Sequence, residues 1–279
     1  MNYILIDTSY MIFYRYHALI RWWKHSHETE LPANLLDCEE FVTKFIKLFS
    51  ESILKIKKQL KLHKKECTVI AGLDCSRKDI WRNSIYPRYK ENRNVDDGTT
   101  TEEDATTIAD FFRLVYANDN ELLKKAGADH IFRCNNLEGD DVAAITKNHI
   151  RAKYPDANIY IITNDHDYLQ LHDENTHIIN LQFKNLMENK KVFPEADKNL
   201  FYKIVLGDKS DCIPPVFSKC GPKTAEKYYL DRDLFDKAII KENAQETYTR
   251  NKTLVCFTQI PTELVECFME TYKVELDNL

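Results

Sequence analysis

Apolar positions along this chain follow two different spacings. Tyr3-Ile4-Leu5-Ile6 is a continuous apolar run closed by Asp7, and Thr68-Val69-Ile70-Ala71-Gly72-Leu73 is another closed by Asp74. His130 to Cys134 and Asn158 to Ile162 repeat the pattern, and Thr176 to Leu181 suits a fifth segment. Short runs without polar alternation predict strands buried on both faces, as in a parallel sheet. Between them the spacing is helical: Met11, Tyr14, His17 and Ala18; then Phe41, Phe45, Leu48, Phe49, Ile53, Ile56 and Leu60 as one long amphipathic helix; then Ala143, Ile145 and Ile150. Arg21 to Pro32 reads as a polar loop carrying Trp22 and Trp23, and Ser76 to Asn94 as a basic, aromatic stretch with no period. Thr100 followed by Glu103 resembles a capping box opening a helix that runs to about Lys125. Strands alternating with helices predict an α/β fold with a mainly parallel central sheet flanked by helices.

Beyond Pro194 the strand pattern gives way to helices. Leu200 to Leu206 is helical, Gly207 to Cys220 is a loop, and Pro222 stands at the favoured first position of the next helix. Asp233 to Leu279 has helical spacing and no recognisable motif. The expected division is therefore 1–195 for the α/β core and 196–279 for a helical region.

Carboxyl ends of parallel strands share one edge of the sheet, where ligands of such folds bind. Asp7, Asp74, Glu138 with Asp140 and Asp141, and Asp165 with Asp167 all follow strand ends. Any one acid at a helix start is ordinary, because the helix dipole favours it there. Four strand ends bringing carboxylates to one edge need a compensating cation, since unpaired carboxylates at close range repel. These hard oxygen donors suit Mg²⁺ or Mn²⁺, and two such ions roughly 4 Å apart can activate water and stabilise both oxygens of a phosphodiester under attack.

The balance of charge tempers this picture without reversing it. Lys and Arg number 39 against 44 Asp and Glu, a net charge of −5, which alone argues against a polyanion partner. With the acids gathered at one site the remainder is mildly basic, in clusters at Lys55 to Lys65, Arg77 to Arg93, Lys184 to Lys191 and Lys219 to Lys227. The eight cysteines are scattered without a Cys-x-x-Cys pair, which predicts free thiols rather than disulfides or structural zinc. No apolar run approaches the roughly 18 residues of a membrane span, and the N-terminus lacks a basic signal-peptide start. An intracellular protein without membrane contact is the expectation.

Leu5-Ile6-Asp7, Leu73-Asp74, Leu137-Glu138-Gly139-Asp140-Asp141-Val142, Ile162-Thr163-Asn164-Asp165-His166-Asp167 and Leu206-Gly207-Asp208-Lys209-Ser210-Asp211-Cys212-Ile213-Pro214 occur in the order found in 5′-nucleases. The chain resembles a stand-alone relative of the 5′-3′ exonuclease domain of bacterial DNA polymerase I and of the phage flap endonucleases. That resemblance implies a PIN-like core with a helical arch at about 94–125 and a C-terminal helix-hairpin-helix. It implies that Asp74, Glu138, Asp140 and Asp141 hold one metal, that Asp165, Asp167, Asp208 and Asp211 hold the second, and that Asp7 lies in the outer sphere of the first. Lys90 and Arg82 would reach the scissile phosphate, with Tyr89 and Arg93 contacting DNA beside them. Lys219, Gly221, Lys223 and Thr224 would receive duplex phosphates, with a K⁺ ion at the hairpin. The implied activity is metal-dependent 5′-3′ exonuclease and flap endonuclease cleavage near a single-strand to duplex junction. The partners implied for this monomer are DNA carrying a 5′ flap or 5′ end, and RNA:DNA hybrids.

Two departures from the pattern stand out. The hairpin reads Lys219-Cys220-Gly221 where glycine-hydrophobic-glycine is usual, and Tyr14 stands where many bacterial relatives have an arginine, leaving Arg15 without a catalytic assignment. Trp22 and Trp23 suit either stacking on bases or core burial. A structured-RNA ribonuclease and a catalytically silent junction-binding protein stay open as other readings. An aspartyl phosphatase is disfavoured because Asp7-Thr8-Ser9 lacks a second Asp two residues on.

Overall fold

The computed structural model describes residues 1–27, 30–32, 34–93 and 108–279. Its centre is a five-stranded sheet in the order β3-β2-β1-β4-β5, formed by β1 (Asn2–Asp7), β2 (Thr68–Leu73), β3 (His130–Arg133), β4 (Asn158–Ile162) and β5 (Thr176–Ile179). Every pairing is parallel, with Leu5 beside Ile70 on one flank and Ile161 on the other. From β1 the chain builds outward to β2 and β3, then returns to place β4 on the other side of β1. The order reverses at β1, the point where such sheets open a crevice for ligands.

Helices cover both faces. Ile4 and Ile6 pack with α1 (Thr8–Ser26), α2 (Glu39–Ser50), α3 (Ser52–Gln59) and α5 (Ile108–Ala126). Tyr3 and Leu5 face the opposite layer, where α6 (Gly139–Lys153) lies. Alternate residues of one strand thus feed two separate cores, which is why the run is apolar throughout. Only the one-turn α4 (Arg82–Ile85) and 3₁₀ turns at Arg77–Asp79 and Glu91–Arg93 interrupt the stretch after β2.

Three expectations change. The supposed loop from Arg21 is helix as far as Ser26, because Trp23 is buried against the ring of His27 and beside Phe41. The long helix of 41–60 is two, broken at Glu51. The span expected for an arch, about 94–125, includes core helix: Phe111, Val115 and Leu123 of α5 are fully buried, so from Ile108 onward the chain packs into the core. The axis of α5 is interrupted at Ala117–Asn120, where Asn118, Asp119 and Asn120 take left-handed conformations. Residues 94–107, including the Thr100 and Glu103 capping box, lie outside the described residues.

The C-terminal region comprises α7 (Ala196–Leu206), α8 (Pro222–Leu230), α9 (Arg232–Lys241), α10 (Gln245–Val255), α11 (Thr262–Thr271) and α12 (Lys273–Asp277). A division at residue 195 cuts through packing. Phe201, Phe217 and Phe235 form a local core with α8 and α9, but Phe268 and Leu276 return to the sheet and pack in the same cluster as Phe132 and Ile159. Tyr272 completes the edge of the sheet: its hydroxyl accepts from the Arg133 backbone N–H at 2.8 Å and donates to the Arg133 carbonyl at 2.7 Å. No helix of the described residues is long and apolar enough to cross a membrane.

Candidate metal centre

The acidic edge exists because two glycines let β2 and α6 meet. A Cβ on Gly139 would stand 3.1 Å from Asp74 Oδ1, and one on Gly72 would stand 3.1 Å from the Gly139 carbonyl. With no side chain there, the Gly139 N–H donates to Asp74 Oδ1 at 2.6 Å, drawing the end of β2 onto the start of α6. Asp7 caps α1 by accepting from Tyr10 N–H at 2.9 Å, and Thr163 Oγ1 donates to its other oxygen at 2.7 Å, joining the ends of β1 and β4. A third loop arrives from the C-terminal region. Gly207 has φ +71°, and a Cβ there would meet the Ile213 carbonyl at 2.4 Å, so only glycine closes this turn. Asp208 and Ile213 then exchange two backbone hydrogen bonds, presenting Asp208 to the sheet edge.

The product is a cavity of about 800 Å³ whose lining includes Asp7, Asp74, Glu138, Asp140, Asp165 and Asp208. Oxygens of Glu138, Asp140 and Asp141 lie within 4.8 Å of one another. Burial pushes the Asp7 carboxyl up to about 7 despite its two hydrogen bonds, and burial reinforced by Asp141 pushes Asp140 well above the usual carboxylate range. Arg82 and Lys90 oppose the rise at Asp140 without overcoming it, so both carboxyls carry a desolvation cost. A set of hard oxygen donors in that state fits a small divalent ion.

Lysines neutralise the rest. Lys90 Nζ lies 2.5 Å from Glu138 Oε1 and 4.0 Å from Asp211 Oδ2. Burial opposes its charge, yet Glu138 and Asp211 hold the ammonium far above its ordinary pKa. Lys203, which sequence reasoning passed over as one helical lysine among many, bridges the two remaining loops: it contacts Asp167 and lies 2.7 Å from Asp208 Oδ2. Although burial works against ionisation, Lys203 and Ser210 hold Asp208 down at about 2. Burial raises Asp211, with Lys90, Lys203 and Arg93 opposing it.

Several expected site residues stand behind the cavity instead of in it. Arg82 is 1% exposed, with Nη1 on Glu138 and Asp141, Nη2 on Asp141 and Nε on the Leu254 carbonyl, so four of its five N–H groups are committed and its burial keeps it away from a phosphate. Tyr89 is 5% exposed and donates to Glu138 Oε2, which removes it from any base-stacking role. Asp141 is fully buried and accepts from Trp81, Arg82 and the Glu138 N–H, so it braces the cluster from beneath. Asp167 and Asp211 are likewise buried, the latter 2.7 Å from Arg93. Lys219, Gly221 and Lys223 are exposed and Thr224 half-buried at the start of α8. A Cβ on Gly221 would meet open space, so its own backbone does not demand glycine. Sequence reasoning also missed Leu254–Phe257, which tie two acidic loops together: Leu254 holds Arg82, while Val255 and Phe257 hold the Gln170 amide beyond Asp167. Nothing in their residue types announces this.

A family model described as 5′-3′ exonuclease, N-terminal resolvase-like domain matches residues 2–197. The chain belongs to the 5′-3′ exonuclease family. A 5′-3′ exonuclease of Mycoplasmopsis pulmonis is 27% identical over 216 residues, covering 75% of this chain and 60% of the relative, so the chain spans about three-fifths of that protein's length. Among solved structures, a bacteriophage T5 flap endonuclease in a pseudo-enzyme-product complex with DNA and metal ions superposes with a TM-score of 0.66 at 18% identity, covering 100% of both chains. The T5 5′-exonuclease with bound zinc gives 0.68 at 19% identity, covering 99% of this chain and 100% of that one. These two likenesses establish a shared fold along the whole chain.

Proposed function

We propose that this protein is a divalent-metal-dependent 5′-nuclease that hydrolyses DNA phosphodiesters near single-strand to duplex junctions, acting as a 5′-3′ exonuclease and flap endonuclease. The observation that carries the reading is the convergence of six carboxylates, from the ends of three strands, the start of α6 and the Gly207 turn, on one cavity rimmed by Lys90, Arg77 and Arg93. Family membership and the T5 relatives' bound metal and DNA support it.

Asp74, Glu138 and Asp140 would hold one ion, braced by Asp141, and Asp165 and Asp208 the second, braced by Asp167 and Asp211. Mg²⁺ or Mn²⁺ in such a site supplies Lewis acidity and a hydroxide source near neutral pH. The chain's own contribution is to hold the carboxylates rigid and to offer cations to the phosphate. Lys90 is the best placed of these, because it lines the cavity on a backbone held at φ +54° by the Arg77 guanidinium and the Asp211 carbonyl. In the free protein its charge is taken up by Glu138; a charged phosphate offers it an alternative partner. Arg82 acts one layer below, fixing Glu138 and Asp141. Duplex phosphates would lie against the exposed start of α8 at Lys219 and Lys223, with its backbone amides as further donors. RNA:DNA hybrids present the same backbone and belong to the proposed substrates.

The test is hydrolysis of a 5′-flap DNA in Mg²⁺. Cleavage abolished by EDTA and by Asp140→Asn, with duplex binding retained, supports the reading; equal cleavage of flap DNA and matched RNA hairpins would favour a structured-RNA ribonuclease instead.

A further inference from the structure

Lys203 stands near the end of α7, just ahead of the Gly207 turn, and lines the cavity. Its ammonium touches Asp167 Oδ1 and lies 2.7 Å from Asp208 Oδ2. Asp167 Oδ1 is shut off from solvent and finds no hydrogen-bond partner of good geometry among the described residues, so the Lys203 charge is what faces it. Asp208 Oδ1 already accepts twice from Ser210, at 2.7 Å from its N–H and 2.5 Å from its Oγ. A carboxylate oxygen offers about two lone pairs, so Oδ2 is the oxygen left for an ion, and Lys203 is on it. The acids across the cavity stand differently. Asp74 accepts from the Gly139 N–H and the Ser9 hydroxyl, and Asp140 from the Asp141 N–H, and neither makes an ion pair among the described residues. Lys90 reaches Glu138 alone of those three.

On the metal reading proposed above, we infer that Lys203 is a displaceable counter-ion that ranks the two ions. It keeps the position at Asp165 and Asp208 the weaker one in the free chain, so the ion at Asp74, Glu138 and Asp140 binds first. A divalent ion and an ammonium on one oxygen repel, so the second ion must push Lys203 off Asp208 Oδ2 or share that oxygen at a loss. The first ion meets no such obstacle at Asp74 and Asp140. Lys203 is suited to yielding, because a lysine head is a point charge on a flexible four-carbon stem, where an arginine fork would be fixed across both carboxylates. A phosphate oxygen entering the cavity would receive the displaced ammonium in a charge-assisted hydrogen bond. The pair of ions would then assemble with the substrate rather than ahead of it.

Mn²⁺ binding to the full chain without DNA, titrated by the electron paramagnetic resonance signal of the free ion, tests it. Wild type should take up one ion tightly and a second at least about 10-fold more weakly. Lys203→Met and Lys203→Gln remove the charge and should tighten the second ion by about 10-fold or more, leaving the first within about 2-fold. Lys203→Arg keeps the charge and should keep the second ion weak. Asp208→Asn combined with Lys203→Met should abolish the gain, which assigns it to that position. A lysine that merely braced the fold would do the reverse, since its loss would slacken the acidic loops and weaken binding. Two equally tight ions in wild type, or a second ion no tighter in either neutral variant, overturns the inference. Wild-type protein that takes up no Mn²⁺ overturns the proposed function along with it, whereas wild-type uptake without the Lys203 effect overturns this inference alone.

Discussion

Replacing Arg82 separates two accounts of the same residue. As a group reaching the scissile phosphate, it could be lost with little effect on the fold. Its position predicts the opposite. Arg82 forms four hydrogen bonds to Glu138, Asp141 and the Leu254 carbonyl, and the side chains of the three ionic partners are 2%, 6% and 0% exposed for Arg82, Glu138 and Asp141. Arg82→Ala would leave Asp141 buried with only Trp81 and the Glu138 N–H as donors. Glu138 would keep Lys90 and Tyr89. Breaking a buried pair in this way costs about 3–5 kcal/mol, because one charge stays behind uncompensated. The Leu254 carbonyl would add about 1 kcal/mol. Arg82→Lys keeps the charge but cannot fork across both carboxylates, and should fall between. Urea denaturation of the metal-free proteins measures this directly. A loss below about 1 kcal/mol for Arg82→Ala, with turnover abolished, would refute the bracing role and restore a contact with substrate.

Other consequences are as definite. Gly207→Ala should destabilise the protein by more than 1 kcal/mol and displace Asp208, because the new Cβ would stand 2.4 Å from the Ile213 carbonyl on a left-handed backbone; melting temperature and metal affinity both read it. Lys203→Met should remove the cation that holds Asp208 at about 2. A depressed carboxylate pKa contributes stability that is present above the unfolded value near 4 and lost as pH falls through the folded one; Ser210 keeps its share of the shift, so the variant should lose on the order of 1 kcal/mol at pH 6 and little at pH 2 in urea titrations. Asp7 behaves in reverse: with its folded pKa raised to about 7, the metal-free fold gains stability below pH 4 and loses it as pH rises through 7. Ion binding there must displace that proton, so calorimetry in buffers of different ionisation enthalpy should find proton release at pH 6 that fades above pH 8.

Much of this was legible in the residues, for reasons that differ by element. Buried parallel strands are short and unbroken, so β1, β2 and β4 stand out as apolar runs; β1 ends on Asp7, Asp74 follows β2 directly, and Asp165 comes three residues after β4. The acids could therefore be placed on one edge before their geometry was known. What side chains do once buried was much less legible. Arg82, Tyr89 and Lys90 are neighbours in a basic, aromatic stretch with no period, yet only Lys90 lines the cavity, because the short helix at Arg82–Ile85 turns the first of them inward onto Glu138 and Asp141. Lys203 looks like any surface lysine until Asp167 and Asp208 close around it. Leu254 and Val255 act through their backbones, which carry no signal in residue type.

The central claim is that the acidic edge is a metal-dependent nuclease site acting at strand junctions. Mapping the products of 5′-labelled and 3′-labelled flap DNA, with Mg²⁺ and with EDTA, tests it most directly. The account predicts cuts within a nucleotide or two of the junction in Mg²⁺, none in EDTA, and none with Asp140→Asn. Cleavage that persists in EDTA, or that ignores the junction, would contradict it.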